Sequence, residues 1–176
     1  MLIGGSGTGK TTVANELERR GFHRLITTTT RSKREGEINH VHYHFVSEEE
    51  FWQIDRVEES KYAGNWYGLS KEEVNQKMTK YNNLVIVMDV NGAKAIKREY
   101  EDIVQVVFLT ISSKEMEVRL RKRGGSKSSI QKRLKHAHDH KEFTKPEVAD
   151  IQIENIDFGK TIETILSFTK NNTILN

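Results

Sequence analysis

The sequence of 176 residues contains no cysteine, which excludes disulfides and thiolate metal sites. No apolar run approaches the length needed to span a bilayer, and no secretory h-region follows the N-terminus. No repeat recurs at solenoid periods and no low-complexity linker divides the chain. Together these absences lead us to expect a cytoplasmic protein with neither a membrane partner nor a second domain.

The length suits one domain with a substantial core, leaving room for small inserted pieces. Charged residues make up 30% of the chain and the mean hydropathy is -0.66. The apolar residues nevertheless fall in short blocks, the pattern of a soluble globular enzyme rather than of a disordered chain. Twenty-eight Lys and Arg against 25 Asp and Glu give a formal charge of +3. This mild excess matters where it clusters, in Arg31-Ser-Lys-Arg34 and in the run from Arg119 through Arg121, Lys122, Arg123, Lys127, Lys132 and Arg133 to Lys135. The lysines read as a solvated face and the arginines as anion-binding groups.

The first dozen residues run from a short apolar strand straight into glycines and then a helix. Gly4, Gly9, Lys10 and Thr11 fit the pattern G-x-x-x-x-G-K-[ST]. A triphosphate must be wrapped by backbone N–H groups, and side chains at the glycine positions would hold the main chain away. Gly5 and Gly7 open the loop further. Lys10 supplies a positive charge to the β- and γ-phosphates, Thr11 offers a hydroxyl to Mg²⁺, and the helix N-terminus adds its partial charge. The candidate nucleotide-binding residues are therefore Gly5, Ser6, Gly7, Thr8, Gly9, Lys10, Thr11 and Thr12. Val13, Ala14 and Leu17 give the helix an apolar side, and Gly21 stops it.

Further along, Phe22–Ile26 reads as a strand entering Thr27-Thr-Thr-Thr30, and His40–Phe45 alternates as a half-buried strand. Ser47 with Glu50 forms a capping box, opening a helix that carries Phe51 and Trp52 inward. Gly64-Asn65 marks a turn between strands, and Ser70 with Glu73 forms a second box before a helix striped by Val74 and Met78. Leu84–Val90 and Ile103–Ile111 read as buried parallel strands, the first ending near Asp89 at the edge where α/β sheets bind ligands. Helices follow from about Gly92 to Tyr100, from Ser112 to Gly124-Gly125, and over 126–141. Pro146, the sole proline, precedes a final strand at about Asp150–Glu154 and a helix bearing Ile162, Ile165 and Leu166. Strands alternating with helices predict a three-layer α/β fold with a parallel sheet. The stretch from about 32 to 80 predicts an inserted mixed-strand subdomain.

Thr27-Thr-Thr-Thr-Arg31-Ser-Lys-Arg34-Glu-Gly-Glu37, then Tyr43-His-Phe45-Val-Ser47 and Gly64-Asn-Trp-Tyr-Gly68, resemble the monophosphate-binding signature and second loop of the guanylate kinases. The resemblance extends over nearly the whole chain. It implies a single P-loop NTPase-like domain with a core of about 1–31, 81–112 and 142–176, a monophosphate-binding insertion of about 32–80 and a helical lid of about 113–141. It implies ATP-dependent phosphorylation of a nucleoside monophosphate, GMP favoured, with Mg²⁺ carried by ATP. By resemblance Arg31, Arg34 and Tyr43 hold the acceptor phosphate, Glu58 meets the donor edge of guanine, Tyr67 lies by the phosphate, and Thr27 and Asp89 complete the acceptor site. Arg119, Arg123 and Arg133 match the family's lid arginines and, with Lys10, form the catalytic set, while Asn155 helps hold the ATP site together. A guanidinium fork matches phosphate oxygens, and a carboxylate can accept from two adjacent guanine donors that adenine lacks.

The chain departs from the family's pattern at Leu69, where a Ser or Thr is usual, and at Val87, where an acid is usual. It also begins three residues before Gly4, which leaves a short first strand or a truncated start. Three other functions compete. They are a kinase for another small phosphorylated acceptor, a binding module without catalysis, and an RNA-binding protein using residues 119–135. The last is disfavoured because that stretch interleaves no aromatics for base stacking. His40, His42 and His44, and His136, His138 and His140, have spacings that could ligate a metal, but no adjacent acids or cysteines complete a ligand set. Glu58 has the alternative role of a buried ion-pair partner.

Overall fold

The computed structural model describes residues 1–62 and 64–171; the last five residues of the expected core lie outside them. In chain order the first half comprises β1 (Leu2–Ile3), α1 (Lys10–Arg19), β2 (His23–Arg24), β3 (Thr28–Thr29), β4 (His44–Phe45), α2 (Glu48–Gln53), β5 (Arg56–Tyr62) and β6 (Asn65–Ser70). Then come α3 (Lys71–Met78), β7 (Leu84–Val85), α4 (Val90–Glu99), a 3-10 turn (Glu101–Ile103), β8 (Val107–Thr110), α5 (Ser113–Lys122), α6 (Lys127–Asp139), β9 (Ile151–Glu154) and α7 (Phe158–Asn171).

Five strands form the parallel platform. β1 pairs with β8, β8 with β9, and β2 with β7, all parallel. A bridge between Leu2 and Val87 joins the two groups, with the Leu2 N–H donating to Ile86 and the Met88 N–H to Leu2. The spatial order is therefore β2-β7-β1-β8-β9. β8 is buried along its whole length, so it can be apolar on both faces and still sit between helical layers. On one face α1 and α7 pack Val13, Leu17, Ile162 and Ile165 against Leu2, Val107 and Leu109. On the other, Ala93 of α4 meets Ile3 and Phe108. The α5–α6 pair is anchored by Met116, Leu120, Ile130 and Ala137 around Ile111, just past β8.

A second sheet has the order β4-β3-β6-β5, with β3–β4 parallel and the other pairs antiparallel. Gly64 makes the turn between β5 and β6 at φ 82°, a left-handed conformation that glycine adopts without strain. Ser47 and Glu50 satisfy each other's backbone N–H groups at the start of α2.

The sequence-based expectations need several corrections. The strand expected over His40–Phe45 reduces to His44–Phe45. His40 has φ 64°, and Asn39 Oδ1 accepts from the N–H groups of both His40 and Phe45, so a local side-chain turn replaces the ladder. Trp52 is 46% exposed rather than inward, stacking edge-on with Trp66 over the sheet rim. Met78 is likewise exposed, and α3 stops before Thr79. Ser70 caps α3, but the Glu73 carboxylate turns away to the Ile26 N–H, leaving half of the expected box. The expected strand over Leu84–Val90 yields early to α4 because Asp89 Oδ1 accepts from the Gly92 N–H and caps the helix. Ile103 lies in a 3-10 turn and is exposed, so the next strand starts at Val107.

Candidate active site

Between β1 and α1 the chain folds into a loop that its glycines require. Gly7 and Gly9 have φ of 81° and 91°. A Cβ on Gly4 would stand 2.1 Å from the Leu109 carbonyl oxygen, and one on Gly9 would stand 2.6 Å from Asn155 Nδ2. The loop is thus pressed against β8 and the residue following β9. The buried Thr8 hydroxyl donates to the Gly5 carbonyl. Lys10 Nζ folds back to donate to the carbonyls of Gly4 at 2.7 Å and Gly5 at 2.9 Å, spanning the mouth of the loop. Burial lowers the Lys10 pKa, the Glu142 carboxylate opposes that shift, and Arg123 adds to it. Thr11 and Thr12 are exposed in the first turn of α1.

Three side chains brace or border this loop. Asn155, 4% exposed, donates from Nδ2 to the Thr8 carbonyl at 2.7 Å, while its own N–H donates to Thr110. Arg119 is fully engaged: Nε donates to Glu115, one terminal nitrogen to the Gly7 carbonyl and the other to the Asn155 carbonyl. In this conformation Arg119 ties α5 to the loop floor. Arg133 of α6 donates to Ser6 Oγ at 3.2 Å, bringing that guanidinium to the loop rim. Arg123, the C-cap of α5, is close enough for its charge to act on Lys10.

The second constellation lies on the four-stranded sheet and the loop beside it. Arg31 makes a two-pronged pair with Glu37, at 3.0 and 2.7 Å, and the Arg34 N–H donates to the same carboxylate at 2.7 Å. The Arg31 guanidinium and the Arg34 N–H hold the Glu37 carboxyl down at about 2. Arg31 also lies 5.4 Å from the Tyr43 ring centre, and Tyr43 and Tyr67 meet edge-on at 6.0 Å. Burial raises the Tyr43 phenol's pKa. Thr27 accepts the His44 N–H through its carbonyl, holding the end of β4 beside the cluster.

Glu58 on β5 faces the start of α4, where a Cβ on Gly92 would stand 3.1 Å from its Oε2. Burial, reinforced by the Asp89 charge, pushes the Glu58 carboxyl up to about 7. The Leu69 side chain is fully buried among Val74, Ile86 and Ile96, so it is a core residue, and Leu69 meets the Glu58 carboxylate only through its backbone. Because β7 lies next to β1 in the sheet, Asp89, whose charge acts on Glu58, is at the same edge as the phosphate loop, which follows β1.

The sequence reading missed two carboxylates. It quoted Glu37 without a role, and it passed over Glu142, whose Oε2 accepts from the Ser6 N–H at 3.2 Å. Nothing local in the sequence marks Glu142, since only the packing of α6 brings residue 142 to residue 6. The two histidine groups have local partners: His40 meets His44, and His136 stacks on His140 at 3.9 Å. Among the described residues no group of three or more His, Cys, Asp or Glu is arranged to hold a metal ion.

The guanylate kinase family model matches residues 1–172. The guanylate kinase of Prochlorococcus marinus subsp. pastoris is 33% identical over 177 residues, spanning 97% of this chain and 95% of the relative. That of Helicobacter pylori is 37% identical, spanning 97% and 85%. The crystal structure of guanylate kinase from Anaplasma phagocytophilum superposes with a TM-score of 0.73 over 99% of this chain and 86% of that one, at 24% identity, which supports the shared fold. With a family model matched over residues 1–172 and relatives above three-tenths identity over 97% of the chain, this chain belongs to the guanylate kinase family.

Proposed function

We propose that the chain transfers the γ-phosphoryl group of MgATP to GMP, giving GDP and ADP. The observation that carries this reading is the presence of two separate anion sites, one at the edge of the parallel platform and one on the four-stranded sheet. One is the glycine loop with Lys10, and the other is the Arg31, Tyr43 and Tyr67 cluster with Glu58 beside it. Family membership supplies the reaction class.

In this reading the loop's N–H groups and Lys10 hold the donor's β- and γ-phosphates, with Asn155 and Arg119 keeping the loop in shape. Arg31 and Arg34 hold the acceptor phosphate with the phenols of Tyr43 and Tyr67. Binding it requires Arg31 to exchange the Glu37 carboxylate for phosphate oxygens, a swap between two matched forks. Glu58, when ionised, accepts from guanine's N1–H and amino group. Phosphoryl transfer asks for little covalent chemistry from the protein, so alignment and charge neutralisation by Lys10, Arg123 and Arg133 supply most of the rate.

The residues present fit a Mg²⁺ ion that arrives with ATP rather than a resident metal. Thr11 offers an exposed hydroxyl at the start of α1, and the described residues contain no carboxylate cage. When bound, the ion would neutralise charge on the β- and γ-oxygens. The segments 32–80 and 113–141 are assigned as acceptor-binding insertion and lid on the same grounds, since they carry the acceptor cluster and the outer arginines. No helix among the described residues is long and apolar enough to cross a membrane, and the cysteine-free composition motivates a cytoplasmic location.

The test is a coupled ADP-release assay with MgATP and a panel of GMP, dGMP, AMP, CMP and UMP. Highest kcat/KM with GMP is expected. An enzyme that ignores GMP and phosphorylates a non-purine acceptor overturns the base assignment, and no turnover with any acceptor overturns the kinase reading.

A further inference from the structure

Glu142 sits in the mouth of the phosphate loop, three residues beyond the end of α6. Its Oε2 accepts from the Ser6 N–H at 3.2 Å, and its charge raises the Lys10 pKa against the effect of burial. Its other oxygen, Oε1, lies 3.1 Å from His136 Nδ1, and Arg133 contacts the Ser6 hydroxyl at 3.2 Å. A carboxylate therefore takes a loop N–H, with the Lys10 ammonium in its field and the Arg133 guanidinium on the neighbouring Ser6 hydroxyl, surroundings that a phosphoryl oxygen would seek.

Gly5 supplies an independent observation. It does not have positive φ, so its backbone gives no conformational reason for glycine. A Cβ there would stand 2.6 Å from Glu142 Oε2 and 3.2 Å from Glu142 Cβ. The space that a side chain at position 5 would fill is taken by the Glu142 side chain. Lys141, at φ 54°, and the Glu142 N–H, which donates to the Ala137 carbonyl, turn the chain out of α6 so that residue 142 points at the loop.

We propose that Glu142 is a built-in competitor of the ATP triphosphate, holding the Ser6 N–H against Gly5 in the nucleotide-free protein and leaving as the donor enters. This rests on the reading of the loop as the ATP site. A triphosphate on Ser6 and Lys10 would bring several negative charges against a carboxylate already in place, so the two occupants exclude each other. Expulsion of Glu142 gives up one of the two ties to Ser6 from this region, leaving that of Arg133 to the Ser6 hydroxyl. Glu142 thereby sets donor affinity without touching the reacting atoms. If the carboxylate fills the loop in nine molecules of ten, it raises the apparent Kd about tenfold.

The experiment is calorimetric titration of MgATP, and separately of inorganic triphosphate, into the wild-type protein and the Glu142→Gln, Glu142→Ala and Lys10→Ala variants, with no acceptor present. Glu142→Gln keeps the shape of a partly exposed side chain, which guards against a folding artefact. Both Glu142 variants are expected to bind both ligands about tenfold more tightly than wild type, and Lys10→Ala more weakly. Wild-type or weaker affinity in both Glu142 variants overturns the proposal. Absence of any ATP binding by wild type overturns the loop reading and this inference with it, while unchanged affinity in Lys10→Ala alongside tighter binding by both Glu142 variants overturns the part given to Lys10 and supports the competition by Glu142.

Discussion

Asn155 Nδ2 stands 2.7 Å from the carbonyl oxygen of Thr8, joining the end of the last strand to the middle of the phosphate loop across 147 positions of sequence. Asn155 is buried, so the amide has no water to replace its partner. Asn155→Ala should leave the Thr8 carbonyl unpaired and cost about 1–3 kcal/mol of stability. Because the loop loses its brace, KM for ATP should rise more than KM for GMP. Urea unfolding with steady-state kinetics measures both, and an unchanged midpoint would show that Asn155 braces nothing.

The Lys10 ammonium folds across the loop mouth, with two backbone carbonyls orienting it. Lys10→Ala should lower kcat by about 10²-fold or more, the size of effect seen when an electrostatic stabiliser of a transition state is removed. Parent-level ADP formation by this variant would remove the loop from the mechanism.

Glu58 gives the chain a pH dependence of known sign. Its folded pKa of about 7 lies above the ordinary 4.5, so the folded state holds a proton there that the unfolded state has released. The stability linked to Glu58 is fully present below 4.5 and is lost as pH rises through about 7. Over that window the loss amounts to roughly 3 kcal/mol. Glu58→Gln should flatten this slope in denaturation curves. Guanine needs the ionised form, so acceptor KM in wild type should fall as pH rises through about 7. A pH-independent acceptor KM contradicts the base-reading role.

Arg31 already has a planar partner in Glu37, and its value to an acceptor phosphate lies in the same two-pronged geometry. Arg31→Lys keeps the charge and loses the fork, so KM for GMP should rise about tenfold or more, with kcat changed by only about threefold. Equal losses in both constants would place Arg31 in the transition state instead. The Glu37 carboxyl is held at about 2, below its ordinary 4.5, so this pair is intact above 4.5 and is lost as pH falls through about 2.

Local chemistry explains what could be read in the sequence and what could not. Gly4 through Thr11 announced the loop because the backbone conformation and the close approach of β8 both demand those residue types in order. Ser47 with Glu50 announced α2 because the cap closes within four residues. The His40–Phe45 strand failed because Asn39 offers the backbone a nearer partner than a neighbouring strand does. Trp52 is amphipathic enough to lie on a rim, which an apolar count cannot register. Glu142 escaped notice since its meaning comes from a contact 136 residues away, and Arg119, expected as a lid arginine of the catalytic set, has a guanidinium held by three acceptors that no local pattern signals.

The passage between the two sheets turns on one residue. The Leu25 N–H donates to Val85 in the parallel platform, and the Thr27 carbonyl accepts from His44 in the four-stranded sheet. Ile26 between them gives its N–H to the Glu73 carboxylate at 2.9 Å. Strand side chains alternate with a period of two, so the length of this joint fixes a phase: Thr28 and Thr29 keep their faces only while the count from β2 is preserved. One residue added or removed here would turn the acceptor sheet over relative to the platform, and Arg31, four residues past Thr27, would be carried to the wrong side. The spacing between Leu25 and Thr27 is thus a gear ratio for the molecule, and it tolerates substitution far better than insertion.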